Sequence, residues 1–216
     1  MTRRLTWMLA VATLASPVAW AQDHNVELSG TAGWVFSDGV TGSGDFARID
    51  PKDAFSWGVR IGFLVNENVE VGGLFNLQST TYELGSVAGG SLDAGDVSIY
   101  NYHGYVAYNF GVADAPVRPY FLGGAGVTQY GSFTTALGGQ REIGGDTKFS
   151  TTWALGLKMF PGAGNFGIRL EGRWTPTYIK SDAEGVWCDP YWGCYTVGDA
   201  QYSNQWELSG GITLRF

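Results

Sequence analysis

The sequence predicts an all-β fold: an eight-stranded antiparallel transmembrane β-barrel with an up-and-down meander. Two patterns support this prediction. Apolar and polar residues alternate in eight segments, and the connections between these segments alternate between long and short. A third observation is that, beyond the N-terminal segment, no stretch approaches the roughly 20 apolar residues that a transmembrane helix needs. Residence in a membrane would therefore have to come from strands.

The last segment, 205–216, shows the alternation most clearly. Even positions from Trp206 to Phe216 are apolar or glycine, and odd positions from Gln205 to Arg215 are polar or small. Because successive side chains of a strand point to opposite faces, one face of this segment suits hydrocarbon and the other suits a polar environment.

Residues 1–21 have the features of a cleaved signal peptide. Two arginines near the N-terminus precede a mostly apolar stretch, and Ala-Trp-Ala at 19–21 forms an A-x-A cleavage site. We therefore expect the barrel domain to comprise residues 22–216. Its composition fits a barrel, since the whole chain has 33 glycines and 15% aromatic residues but only average hydrophobicity. The average is not higher because polar inward positions alternate with apolar outward ones.

Seven further segments repeat the alternation. In the fifth, 119–130, glycines weaken the pattern, and Tyr120, Leu122 and Tyr130 form its more apolar face. In the other six, the residues predicted to face outward are Val26, Leu28, Ala32, Trp34 and Phe36; Phe55, Trp57, Val59, Ile61, Phe63 and Val65; Val69, Val71, Phe75 and Leu77; Tyr100, Tyr102, Val106, Tyr108 and Phe110; Phe149, Trp153, Leu155, Leu157 and Met159; Phe166, Ile168, Leu170 and Trp174.

The seven predicted connections have about 18, 3, 14, 8, 16, 4 and 26 residues. Outer-membrane barrels have short periplasmic turns and long extracellular loops, and this order fits that rule. With an even number of strands, both termini are expected in the periplasm. The predicted location is therefore the outer membrane of a Gram-negative-type bacterium.

Three stretches resemble the small eight-stranded outer-membrane barrels of the OmpX, OmpA-transmembrane-domain and OmpW type, within the outer membrane protein β-barrel domain family. They are 118–126 (RPYFLGGAG), 167–174 (GIRLEGRW) and the terminal 211–216 (GITLRF). The resemblance covers essentially the whole mature chain and implies that Phe216 is recognised by the barrel-assembly machinery. It marks the architecture better than the activity, because members of the family differ in function.

The inward positions carry six cations, four carboxylates and one histidine. Eight strands enclose a space only wide enough for side chains, so these charges should pair with one another. The sequence allows two interpretations: a salt-bridged plug, or a narrow or gated pore constricted by Arg60, Arg169 and Arg173 that slightly favours anions. The predicted interior network consists of Glu27, Arg60, Glu70, His103, Lys148, Lys158, Arg169, Glu171, Arg173, Glu207 and Arg215.

The sequence does not predict a catalytic, metal or cofactor site. Lipid-modifying barrels use histidine with serine or an acid, but the two histidines here, His24 and His103, have no such partner nearby in sequence. Four aspartates of the first loop lack EF-hand spacing. The formal charge of −7, about −9 without Arg3 and Arg4, argues against nucleic acid as a partner.

The last long loop is predicted to be a binding element. It holds two cysteines, Cys188 and Cys194, and a disulfide between them is expected in an exported protein. Such a staple would fix exposed aromatic rings, which can serve either as a binding hot spot or as a lid over the barrel mouth. The candidate binding residues are Trp187, Asp189, Tyr191, Trp192 and Tyr195.

Taken together, these patterns predict a monomeric, non-enzymatic barrel that contributes to envelope integrity and presents long loops for surface recognition or adhesion. Its expected partners are outer-membrane lipid, lipopolysaccharide and an extracellular ligand or surface. A narrow pore for small solutes is the alternative function, and a lipid-modifying enzyme is a third.

Overall fold

The fold is described from a computed structural model. It describes residues 25–38, 40–41, 46–86, 91–112, 115–135, 141–143, 145–161, 164–178, 186–189, 193–196 and 202–216. The predicted signal peptide, 1–21, and His24 lie outside the described residues. Within the described part of the chain, no helix has the length and apolar character needed to cross a membrane.

Eight long strands form a closed antiparallel barrel, as predicted. In chain order these strands are β1 (Val26–Ser37), β4 (Ala54–Leu64), β5 (Val69–Ser86), β6 (Ser91–Asn109), β7 (Val117–Tyr130), β10 (Asp146–Met159), β11 (Phe166–Tyr178) and β14 (Tyr202–Arg215). Each strand pairs with the next one in the chain, and β14 returns to pair with β1 from Glu27↔Arg215 to Ser37↔Gln205. This closure satisfies the ladder hydrogen bonds of every wall strand without leaving an edge.

The described parts of the long connections contain six shorter strands. They are β2 (Val40–Thr41), β3 (Phe46–Pro51), β8 (Phe133–Thr135), β9 (Arg141–Ile143), β12 (Val186–Asp189) and β13 (Gly193–Thr196). The strand β3 pairs with β2 and with the outer part of β5, whereas β8–β9 and β12–β13 form separate hairpins. We call this end of the barrel the loop end, and the opposite end, which holds Asn25 and Phe216, the turn end.

The third connection differs from its predicted length of about 14 residues. The strands β5 and β6 continue as a paired hairpin to Ser86 and from Ser91, so only residues 87–90 separate them. Alternation marks only the part of a strand that separates lipid from interior. In the sequence this alternation is clear only as far as Leu77 in β5 and from Tyr100 in β6, so the sequence pattern ends before the strands do.

The outward face is apolar on all eight strands. The side chains of Phe55, Ile61, Ile168 and Ile212 are all about half exposed. Segment five is the exception to the predicted pattern, because the face that holds Tyr120 and Leu122 is turned inward and fully buried. The glycines of this segment removed the side chains that would have distinguished its two faces.

Short turns close the barrel at the turn end. Asn66 Oδ1 accepts hydrogen bonds from the backbone N–H groups of Asn68, at 2.9 Å, and Val69, at 2.8 Å, which folds the β4–β5 turn. Asn68 Nδ2 in turn donates to the carbonyl oxygens of Asn109, at 2.7 Å, and Gly111, at 2.9 Å, and so links neighbouring turns. Gly111 has φ of +88°, a conformation that favours glycine.

Replacing Leu155 with arginine tests the face assignment. Leu155 is 66% exposed on the outward face of β10, so Leu155→Arg should destabilise the barrel by about 2–4 kcal/mol. The inward, fully buried neighbour Thr152 provides the control, since Thr152→Ser keeps its hydroxyl and should be nearly silent. Urea unfolding in lipid vesicles, followed by tryptophan fluorescence, measures both, and equal losses would contradict the assignment.

Candidate functional site: the charged interior

The structure places nine of the eleven predicted interior residues inside the barrel. Their side chains are almost completely shielded from solvent. These nine residues are Glu27, Arg60, Glu70, His103, Lys158, Arg169, Glu171, Arg173 and Glu207.

Lys148 and Arg215 lie near the barrel ends, outside this network. Lys148 pairs with Asp146 at 2.6 Å, and both side chains are accessible. Arg215 donates from Nε to the carbonyl oxygen of Gly164 at 3.2 Å and lies over the Phe160 ring. Alternation assigns both residues to the inward face of their strands, but both lie close to the ends of those strands.

The first cluster of the network lies toward the turn end. Lys158 Nζ contacts Glu27 Oε2 at 2.5 Å and also binds Glu70. Arg169 Nη2 lies 3.2 Å from Glu27 Oε2 and 3.9 Å from Glu70 Oε1. Two cations thus face two carboxylates that come from different walls of the barrel, and the four side chains bridge its cross-section.

Two further ion pairs continue the network toward the loop end. Arg60 Nη2 donates to Glu171 Oε1 at 2.8 Å, and Arg173 Nη2 donates to Glu207. The other oxygen of Glu207 accepts a hydrogen bond of 3.1 Å from Ser56 Oγ. Each of the four buried glutamates therefore has a cationic partner, as buried carboxylates require.

Two inward tyrosines complete the network. Tyr105 donates to Glu70 Oε1 at 2.6 Å, and Tyr120 donates to Glu171. Their rings also face cations, with the Cζ atom of Arg60 5.2 Å from the Tyr105 centroid and that of Arg169 5.0 Å from the Tyr120 centroid. Each tyrosine thus serves an ion pair in two ways, by a hydrogen bond and by a cation–π contact.

Glycines make room for both tyrosines. A Cβ atom on Gly72 or on Gly62 would lie only 2.7 Å from the Tyr105 hydroxyl, and one on Gly156 would collide with the Tyr120 ring. Inward glycines on β4, β5 and β10 are therefore part of the same arrangement as the charges. In the sequence, these residues are recognisable as glycines at inward positions of strands whose other residues alternate clearly between apolar and polar.

Arg118 is a fifth buried cation that sequence analysis missed. Its Nη2 donates to the carbonyl oxygen of Glu67 at 2.5 Å in the β4–β5 turn. Arg118 lies on the same face of β7 as Tyr120. In the sequence of this strand, glycines obscure the difference between the two faces. Once that face is known, its inward position follows from alternation.

A layer of neutral polar side chains lies between the ion pairs and the loop end. His103 Nε2 is 2.8 Å from Ser150 Oγ, so the histidine has a serine partner that sequence proximity did not reveal. Thr128 hydrogen-bonds with Ser150 at 2.9 Å and with Asn101 at 2.7 Å. Both His103 and Ser150 are buried, and no carboxylate is hydrogen-bonded to His103 among the described residues. The other ring nitrogen of His103, Nδ1, has no hydrogen-bond partner in the part of the chain that the structure describes.

The loop candidates are described only in part. The backbone pairs Cys188 with Cys194 and Trp187 with Tyr195 as direct cross-strand neighbours of the β12–β13 hairpin. Asp189 ends β12, whereas Tyr191 and Trp192 lie outside the described residues. The disulfide and the binding role of this loop therefore stay predictions.

Phe216 follows β14 and lies where this last strand meets β1 and closes the barrel. Its backbone N–H donates to the carbonyl oxygen of Val26 at 2.9 Å, and its side chain is exposed at the turn end. Among the described residues, no group of three or more histidine, cysteine, aspartate or glutamate side chains is arranged to hold a metal ion.

The family model for the outer membrane protein beta-barrel domain matches residues 6–215. No curated protein matches the sequence. Neisserial surface protein A has 13% identity, a TM-score of 0.53, and coverage of 90% of this chain and 98% of its own. OprG from Pseudomonas aeruginosa has 11% identity, a TM-score of 0.52, and coverage of 89% and 96%. At such low identity these similarities concern the fold.

Removing one member of a buried ion pair should be far more damaging than removing an exposed one. Arg60→Met leaves Glu171 without its cation and should cost about 3–5 kcal/mol of unfolding free energy. The double variant Arg60→Met/Glu171→Leu should lose less than the sum of the single losses. Lys148→Met, at the accessible pair, should cost at most about 1 kcal/mol. Urea unfolding of Arg60→Met, Glu171→Leu, the double variant and Lys148→Met measures these differences. Equal effects of Arg60→Met and Lys148→Met would contradict the pairing argument.

Proposed function

We propose that this chain, which belongs to the outer membrane protein β-barrel domain family, is a non-enzymatic barrel that does not conduct. It would contribute to envelope integrity and present its long loops for recognition of a ligand or surface. Membership in this family supports the Gram-negative outer membrane as its location, and we propose that the turn end faces the periplasm.

The observation that carries the proposal is that each buried carboxylate of the described interior is paired with a cation, while the fifth buried cation, Arg118, bonds the backbone carbonyl of Glu67 at the turn end. Four cations and four carboxylates from six different strands pair within the barrel: Arg60, Lys158, Arg169 and Arg173 with Glu27, Glu70, Glu171 and Glu207. Moving an ion through this region would require separating these buried ion pairs, which is costly for groups shielded from solvent. The anion-selective pore loses its main support, because Lys148 and Arg215, which supplied the predicted excess of cations, are outside the network.

The loops are the remaining surface for a specific function. The hairpin pairing of Cys188 with Cys194 is compatible with a disulfide that would fix the aromatic residues between them. We also propose that Phe216 serves as the signal for barrel assembly, since it is exposed at the end of the last strand, and that the protein is a monomer.

Single-channel recording in planar bilayers tests the closed interior. The folded wild-type protein should be silent, both with Cys188 and Cys194 oxidised and after reduction. The variant Lys158→Ala/Arg169→Ala leaves Glu27 and Glu70 without cations, so water should enter and cations should pass. Lys148→Ala is the matched control, because it removes a cation outside the network, and it should stay silent. Discrete conductance of the wild-type protein would overturn the proposal in favour of a pore.

The variant Trp192→Ala tests recognition by the loop. We expect it to weaken adhesion of bacteria that display the protein to an epithelial monolayer several-fold, because rigid aromatic rings dominate many interfaces. Barrel assembly, measured by heat-dependent migration in gels, should not change. Adhesion that persists at the wild-type level would leave only the lid role for this aromatic residue.

A further inference from the structure

Arg118 differs from the other buried cations of the barrel because it has no carboxylate partner among the described residues. Its side chain is almost completely shielded from solvent, and its Nη2 donates to the backbone carbonyl oxygen of Glu67. Its Nε is buried and has no hydrogen-bond acceptor in the described part of the chain. A buried guanidinium that contacts only a neutral carbonyl is poorly compensated, because removing a charge from water is costly unless an opposite charge takes the place of the water.

The strand register places Arg118 in a row of three cations. Arg118 lies opposite Lys158 on β10, and Lys158 lies opposite Arg169 on β11. All three side chains are buried, and the ion pairs of the row use two buried carboxylates, Glu27 and Glu70. Lys158 and Arg169 already bind both of them. Within the described residues this row therefore has one more buried cation than buried carboxylates, and the additional cation is Arg118.

A second guanidinium group lies nearby at the turn end. The charges of Arg215 and Arg118 interact with each other. Phe160 links the two positions, because the Cζ atom of Arg215 lies 4.3 Å from its ring centroid and its N–H donates to the carbonyl oxygen of Pro116, two residues before Arg118. The guanidinium of Arg215 donates from Nε to the carbonyl oxygen of Gly164, and it forms no ion pair with a described carboxylate. Both arginines are therefore held by backbone carbonyls and keep further donor groups.

The Glu67 carboxylate does not remove this excess of positive charge. It lies close enough to act on the charge of Arg118, but the two side chains form no ion pair in the described part of the chain. Glu67 is also exposed, and a carboxylate in contact with water compensates a buried cation only weakly because water screens its charge.

We propose that Arg118 and Arg215 bind the phosphate group of a ligand at the turn end of the barrel. A guanidinium presents its donors in a planar fork that fits phosphate oxygens, and two guanidinium groups match the two charges of a phosphate dianion. A carboxylate would neutralise only one of them. The phosphate belongs either to a soluble compound of the periplasm, which we propose the turn end faces, or to a phospholipid headgroup of the adjacent leaflet.

Binding at this end does not depend on the closed interior. A ligand held by Arg118 and Arg215 stays at the mouth of the barrel and does not pass the ion pair of Arg60 with Glu171 or that of Arg173 with Glu207. The phosphate site and the closed interior can therefore fail separately.

Equilibrium dialysis with radiolabelled inorganic phosphate tests the site. The folded wild-type protein, in micelles of a sugar-based detergent at constant ionic strength, should bind one phosphate per barrel in a saturable manner. Acetate should compete about tenfold less well, since a carboxylate brings one charge to two guanidinium groups. A water molecule at Arg118 Nε is the simplest alternative occupant, and it would give no saturable phosphate binding.

Two arginine variants identify the residues that bind. Arg215→Met should weaken phosphate binding about tenfold, the loss expected for one charge-assisted hydrogen bond. Arg118→Lys keeps the positive charge but removes the guanidinium fork, and it should weaken binding by a similar factor. Lys148→Met is the matched control, because it removes a partly accessible cation near the loop end, and it should bind as wild type. Heat-dependent migration in gels verifies folding, and Arg215→Met keeps the test available if Arg118→Lys does not fold.

Two competitors that carry the same phosphate monoester identify the source of the ligand. Glycerol 3-phosphate should displace the labelled phosphate. Phosphatidic acid mixed into the micelles should displace it as well if a lipid headgroup reaches the barrel mouth, and should leave it bound if the site takes only soluble ligands. Both results support the phosphate site, and they assign it to different ligands.

Three results would overturn the proposal. They are the absence of saturable phosphate binding by the folded wild-type protein, wild-type affinity in the folded arginine variants, and an equal loss in Lys148→Met, which would indicate a general effect of charge. A barrel that is electrically silent but does not bind phosphate would contradict this inference and leave the closed interior intact. A barrel that conducts and still binds phosphate would do the reverse.

Discussion

The small cross-section of an eight-stranded barrel is the constraint on which the rest of this structure depends. Such a barrel has room inside for side chains but not for a continuous column of water. The charged inward carboxylates must therefore find partners among other side chains. In this protein the four buried glutamates meet lysine or arginine from other strands, and Tyr105 and Tyr120 supply further hydrogen bonds.

The same constraint explains where the inward glycines lie. A tyrosine whose ring lies over the neighbouring strands to reach a glutamate needs space beside the backbone of those strands. Gly62 and Gly72 provide it for Tyr105, and Gly156 provides it for Tyr120. The long arginine side chains then lie against the tyrosine rings, so that packing and charge neutralisation depend on the same contacts. A plug built in this way fills the core of the barrel, and it is the basis of our proposal that the barrel does not conduct ions.

Most of the fold could be predicted from alternation, because lipid and interior impose opposite requirements on successive residues. Strand β4, from Ala54 to Leu64, shows this directly in its strictly alternating exposure. Prediction failed where that contrast was missing. Glycines hid the faces of β7, so Arg118 and Tyr120 were not recognised as interior residues. The alternation also stops before the paired ends of β5 and β6, so the length of this hairpin was not predicted.

The site was less predictable than the fold because sequence gives the face of a residue but not its partner. Alternation assigned both Lys148 and Lys158 to the interior, although Lys148 lies near the loop end and Lys158 lies between two glutamates. Likewise, His103 and Ser150 are 47 residues apart in the chain and meet only because their strands both flank β7. Partner identity depends on strand order and register, which local patterns do not contain.

The distribution of chemistry between the two faces of the wall indicates where specificity can reside. Inside, the charges are matched to one another, and a ligand would have to displace partners that are already well placed. Outside, most positions contact hydrocarbon, which distinguishes poorly between molecules. Specific contacts therefore require a local departure from the uniform apolar wall. The connections at the loop end lie outside that wall. This is why we propose that recognition is carried by the loops.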